Sequence, residues 1–205
     1  MPGGTTQTLV TWGLVVALAV AVLALVGFRA LAGSAWGRIA LLVAAALLPV
    51  SVSVAALSGG VAESSRTRFC LGCHEMQNHG RSLFAESPRA LAAVHYQNRL
   101  VDRDTACYSC HTDYAMFGDV KAKLSGLRHV YAHYLGTIPD RFALYKPYSN
   151  QNCLHCHEDA RRFTENPAHR PLLTRMASGK TSCLACHNVA HDMEKVQGGV
   201  LWQRK

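Results

Sequence analysis

Eight cysteines stand in four pairs of one form: Cys70-Leu71-Gly72-Cys73-His74, Cys107-Tyr108-Ser109-Cys110-His111, Cys153-Leu154-His155-Cys156-His157 and Cys183-Leu184-Ala185-Cys186-His187. Two thiols three residues apart lie on one side of a helical turn. From there they can add to the two vinyl groups of a haem while the adjacent histidine reaches the iron axially. Structural zinc also uses Cys-x-x-Cys pairs, and exported chains join cysteines as disulfides. Neither requires a histidine after every pair. With 11 histidines in 205 residues, four matches in four is a coincidence of roughly 10⁻⁵, so the pattern predicts four covalent c-type haems.

Four irons take up to eight axial ligands, and the motif histidines His74, His111, His157 and His187 supply at most four. Candidates for the others are Met76, His79, His95, His129, His133, His155, His169, His191, Lys121 and Lys123. A lone histidine is more often structural than a ligand, but four irons in need of ligands raise the prior for each. His155 sits between the cysteines of its own motif, which turns it away from that iron and towards the surface.

The elements that position these residues differ sharply along the chain. Residues 1–62 contain only two charged side chains, Arg29 and Arg38, whereas 63–205 hold every cysteine and all remaining charge. Residues 1–28 and 39–62 are uncharged. A bilayer core needs roughly 20 apolar helical residues, so each stretch is long enough to cross. A cleaved signal peptide ending near Ala30-Leu31-Ala32 is the rival for the first stretch, but residues 1–8 lack the basic start such a peptide carries. Pro49 inside the second is tolerated as a kink if neighbouring groups satisfy the freed carbonyl. Arg29 and Arg38 place the connector in the cytoplasm by positive-inside bias, which puts both termini outside. Thioether-linked haem, attached outside the cytoplasm, agrees.

After a small, polar linker the motifs begin at intervals of 37, 46 and 30 residues, too irregular for a solenoid. Short helices are expected over 87–96, 120–135 and 171–178, with turns at 138–140 and 145–152 and no alternating strand pattern. The reading is a mainly α chain: an anchor of two transmembrane helices over 1–62 and a small, loop-rich multihaem domain over 63–205. Side chains alone would make a thin core there, which haem macrocycles could fill. The net charge of +8 is scattered without a dense basic run, which argues against nucleic acid as a partner.

Taken together, the chain resembles the NapC/NirT/NrfH family of membrane-anchored tetrahaem quinol dehydrogenases. The resemblance runs from about 69 to 191 and rests on several runs: Cys-x-x-Cys-His-Glu-Met from Cys70 to Met76; His95-Tyr96-Gln97-Asn98; Phe117-Gly118 and Lys123; Tyr131 to Ile138, ending Leu-Gly-Thr-Ile; Gly179-Lys180-Thr181; and Ala190-His191. Met76 looks like the first-haem ligand of the nitrite-reductase branch, and Lys123 like the distal ligand of the second haem, with Lys121 as its local rival. His191 resembles the distal ligand of the third haem and His95 that of the fourth, with His111, His157 and His187 proximal. Met76, Lys123 and His129 would border the quinol site. Three departures stand out. The family typically has one span, His129 occupies a place where an acidic residue is expected, and Ala190-His191 follows its motif one residue early, which keeps His169 open as an alternative ligand.

The two apolar stretches predict a multi-pass protein of the inner membrane with its haem domain in the periplasm, and the resemblance implies what it would do there. It would oxidise quinol from the membrane pool and pass electrons to a nitrite- or nitrate-type reductase or another periplasmic redox protein, with an oligomeric complex left open. Two alternatives remain at this level: quinone reduction with electrons from a periplasmic donor, and a small multihaem terminal reductase.

Overall fold

The computed structural model describes residues 3–138 and 147–192. It divides into two compact units, Met1–Ser64 and Ser65–Lys205. Pro139, Asp140, Tyr145 and Lys146, expected in turns, lie outside the described residues.

In the first unit, α1 (Gly3–Val26) packs along α2 (Ala35–Glu63). Ser34 starts α2 by accepting the Gly37 N–H at 2.9 Å, which satisfies one of the unpaired donors of a first turn. Gly37, in this first turn, is obligatory because a Cβ there would lie 1.9 Å from the Leu31 carbonyl oxygen. The helices meet through small residues such as Ala17 and Ala24, with Leu41 also buried. Such residues let helix backbones approach closely. Leu18, Leu23, Ile39 and Leu57 point outwards.

α2 is long and apolar enough to cross a membrane, and only 11% of its most apolar window is buried. A soluble core helix would bury most of that window. A π-helical stretch, Val43–Leu47, interrupts α2 just before Pro49. Proline lacks a backbone N–H and crowds the carbonyl four residues back, and a π-turn is one way a helix absorbs this. The described apolar part of α1 is the shorter helix Thr11–Val26.

The second unit is built of short helices: α3 (Gln77–Ser82), α4 (Leu91–Gln97), α5 (Ala106–His111), α6 (Gly118–Tyr134), α7 (Gln151–His157) and α8 (Leu173–Ala177). No strand occurs among the described residues. The helix expected over 87–96 begins only at Leu91, since Ser87 accepts in a local turn to Arg89. The helix expected over 171–178 splits into a 3₁₀ turn at Arg170–Leu172 and then α8. Pro171 explains the split, having no N–H for a continuing ladder.

Buried apolar residues here are small or few. Ala85, Ala90, Ala93 and Val189 cluster, with Leu83, Ala106, Leu154 and Met176 buried elsewhere. The fold is tied instead by side-chain to backbone hydrogen bonds. Gln97 donates to the Leu83 and Ala85 carbonyls at 3.0 and 3.1 Å, and Asn152 donates to Thr112 at 2.9 Å. Asp119, in the first turn of α6, accepts from Thr112 at 2.9 Å and Tyr108 at 3.1 Å. A carboxylate there also complements the helix dipole. Gly118 is required at this corner, where a Cβ would meet the Asp113 carbonyl oxygen at 1.6 Å.

Candidate haem sites

The second and third motifs sit on helical turns, so in each the two cysteines share a face. The second lies in α5 and the third in α7, the first follows the turn Thr67–Cys70, and the fourth opens with the 3₁₀ turn Cys183–Ala185. No disulfide joins any of the eight cysteines. Cysteines of successive motifs lie near one another, Cys70 beside Cys107 and Cys153 beside Cys183. The first motif's turn packs on α5, and α5 packs on α7. The Tyr148 hydroxyl donates to the Cys110 carbonyl, and Asn150 reaches the Cys183 N–H at 3.0 Å, which joins the third and fourth motifs.

The histidines give the clearest geometry. Every motif histidine faces one histidine from outside the motifs, with ring centroids 6.0 Å apart for His74–His133, His95–His157 and His111–His191, and 6.1 Å for His169–His187. A metal bound to one nitrogen of each ring at about 2 Å requires centroids roughly 6 Å apart. Among the described residues, no group of three His, Cys, Asp or Glu side chains converges as a tetrahedral protein-only metal site would need. Two opposed imidazoles leave the in-plane ligands to a macrocycle, so the donor set fits haem.

The outer ring of each pair is also anchored through Nδ1. His95 Nδ1 lies 2.8 Å from the Leu91 carbonyl, His169 Nδ1 3.1 Å from that of Phe163, His133 Nδ1 2.6 Å from Glu75 Oε1 and His191 Nδ1 2.7 Å from Ser82 Oγ. Ser82 spends its own proton on the His79 carbonyl at 2.6 Å, so at His191 its oxygen accepts. With the proton on Nδ1 in each ring, the Nε2 lone pair is left for a metal, as is usual for ligating histidines. Burial, with His111 and His79 alongside, pulls His191 down to about 4. That keeps the ring neutral near pH 7.

These pairs differ from the resemblance-based expectation. His95 meets His157 rather than His187, and His191 meets His111 rather than His157. His169, the alternative, meets His187. Lys123 does not oppose His111; its Nζ donates to Ser65 Oγ at 2.7 Å and lies 4.1 Å from the Tyr108 ring centroid. Met76 follows His74 in a 3₁₀ turn. His129 lies one helical turn before His133 on α6. His155 is exposed and stacks on Tyr114 at 4.0 Å. Sequence reasoning missed the anchoring roles of Glu75 and Ser82. Glu75 had one signal, its place beside a motif histidine, whereas Ser82 had none.

Residues 32–196 match the NapC/NirT cytochrome c family, N-terminal region. The chain is 27% identical over 159 residues to the cytochrome c-type protein NapC of Haemophilus influenzae, covering 68% of this chain and 74% of that protein. It is likewise 27% identical over 163 residues to NapC of Escherichia coli K12, covering 68% and 76%. A third relative, the cytochrome c-type protein TorC of Escherichia coli K12, is 28% identical over 159 residues, which cover 68% of this chain and 38% of TorC. No solved structure matches. With haem-attachment motifs, opposed histidines and an apolar N-terminal helix all in place, this chain belongs to the NapC/NirT cytochrome c family, membrane-anchored electron-transfer proteins with covalently bound c-type haem.

Proposed function

We propose that this chain carries four haems, oxidises quinol at the membrane and passes single electrons to a periplasmic reductase of the nitrite or nitrate type. The observation that carries the reading is the set of four histidine pairs at 6.0–6.1 Å, each with its outer ring anchored through Nδ1. In this reading His74 with His133, His111 with His191, His157 with His95 and His187 with His169 would hold the four haems. Attachment is through Cys70 and Cys73, Cys107 and Cys110, Cys153 and Cys156, and Cys183 and Cys186. When bound, haem iron supplies the one-electron redox chemistry, and the protein tunes it through ligands, burial and hydrogen bonds.

The remaining work falls to side chains. Glu75 orients His133, and Ser82 orients His191. The nearness of neighbouring motifs supports a close-packed order through which electrons pass one at a time. His129, one turn from His133, accepts a quinol proton, because an imidazole cycles between charge states near neutral pH. Met76, in the turn that begins at His74, and Lys123, on α6, stay the rival ligands for the first and second haems. We further infer that α1 is a second, retained span, with Arg29 and Arg38 in the cytoplasm and the haem unit in the periplasm.

The test joins mass with reduction. Intact mass of the denatured protein is expected to exceed the polypeptide by four haems, and a quinol should reduce those haems. A mass below four haems overturns the count. Haems reduced by dithionite but left oxidised by quinol overturn the quinol reading.

A further inference from the structure

We propose that the outer face of α6 lies on the bilayer surface, seated in the interfacial layer of a phospholipid membrane. α6 runs from Gly118 to Tyr134. At about 100° per residue, Val120, Leu124, Leu127, Tyr131 and Tyr134 fall within an arc of about 80°. These five side chains are 59–75% exposed. The stripe continues past both helix ends, through Met116 and Phe117 before it and Leu135 after it, which are 76–86% exposed. Apolar surface of this extent on a soluble face is unusual and marks an interaction site.

Haem does not explain the stripe. His129, His133, Ala122 and Gly126 share the opposite side of α6, about 150° round the helix. His133 there faces His74. A group held by that histidine pair therefore lies on one side of α6 and the stripe on the other.

Three observations select lipid as the occupant. First, Lys121 and Arg128 border one edge of the stripe and Lys123 the other, the arrangement of an interfacial helix whose cations reach phosphate headgroups while its apolar face sinks into the acyl boundary. Second, a groove of about 320 Å³ along the first edge is lined by Phe117, Val120, Leu124, Ser125, Lys121 and Arg128. Its lining joins apolar side chains to two cations, of which Lys121 also pairs with Asp113 at 3.3 Å, and such a lining suits an acyl chain next to a phosphate. Third, Lys123 bonds Ser65 at 2.7 Å, and Ser65 follows the last residue of the apolar helix Ala35–Glu63 by two positions. Two residues span at most about 7 Å, so a bilayer holding α2 keeps this lysine at its surface. A helix is about 10 Å across, so its His133 side would stand about that far from lipid.

The test uses the full, haem-loaded chain in nanodiscs containing an anionic phospholipid. The photoreactive residue benzoylphenylalanine is placed singly at position 124, 127 or 125, and adducts are read by intact mass after illumination. Lipid adducts are expected at 124 and 127 in about tenfold excess over 125, which lies off the stripe. A cross-link to a second copy at 124 and 127 overturns the proposal in favour of a dimer face, and equal or absent labelling overturns it in favour of a water-exposed face. Haem content and dithionite reduction of each variant establish that it folds. Failure of the quinol reading would leave the adduct pattern unchanged, so the two are separable.

Discussion

Asn150 is the strongest single tie between the third and fourth haem motifs, and its replacement tests whether hydrogen bonds hold this thin-cored unit together. The residue is 7% exposed. Its Nδ2 donates to the Met176 carbonyl at 2.8 Å and the Thr181 carbonyl at 2.7 Å, and its Oδ1 accepts the Cys183 N–H at 3.0 Å. A neutral hydrogen bond contributes about 1 kcal/mol, and a buried group left unpaired costs about 1–3 kcal/mol. Asn150→Ala removes all three bonds, so a loss of about 3 kcal/mol is expected. In a unit of this size that lowers the melting temperature by roughly 10 °C. Asn150→Asp is the sharper variant. It keeps the shape but turns an acceptor towards two carbonyl oxygens, so it should destabilise at least as much as alanine. The assay is thermal unfolding of the haem-loaded chain in detergent, followed by Soret circular dichroism. If Asp is tolerated, or if Ala costs less than about 0.5 kcal/mol, a typical surface effect, the reasoning is refuted.

Ser82→Ala leaves His191 Nδ1–H without its acceptor and should weaken that ligand, visible as a changed low-spin signal for one haem and a loss of about 1–3 kcal/mol in thermal stability; an unchanged spectrum and melting temperature would count against the pairing of His111 with His191. Glu75→Gln replaces a charge-assisted acceptor of the His133 N–H by a neutral one, a difference of about 1 kcal/mol, which corresponds to a rise of about 40 mV in the potential of the first haem. Redox titration monitored by electron paramagnetic resonance checks it, and four unshifted potentials would exclude an ion-paired ligand at His133. Reporters fused before residue 1 and inserted at Gly33 should behave as periplasmic and cytoplasmic respectively; a cytoplasmic N-terminal reporter would remove α1 as a retained span.

Much of this protein was legible in the residue order, because the informative features are local. A haem-attachment site needs two thiols and a histidine within one helical turn, and five consecutive residues carry it. Apolar stretches free of charge are local too, and α2 appears where the second was expected, with Pro49 accommodated by a π-turn. α6 came within two residues of its expected start, since 120–135 reads as an ordinary helical pattern. The partners of the motif histidines lie at the other extreme. His111 and His191 are 80 positions apart and His95 and His157 are 62 apart, yet their rings face each other at 6.0 Å. No periodicity encodes such a pair; it follows from which short helices pack together, and several histidines compete for each iron on equal chemical terms. The anchoring of Nδ1 by Ser82, Glu75 and two backbone carbonyls is likewise a product of packing. Local chemistry thus determined what this chain binds, while tertiary structure alone decided which side chains meet across each site, because those contacts join segments that nothing short of the whole fold brings together.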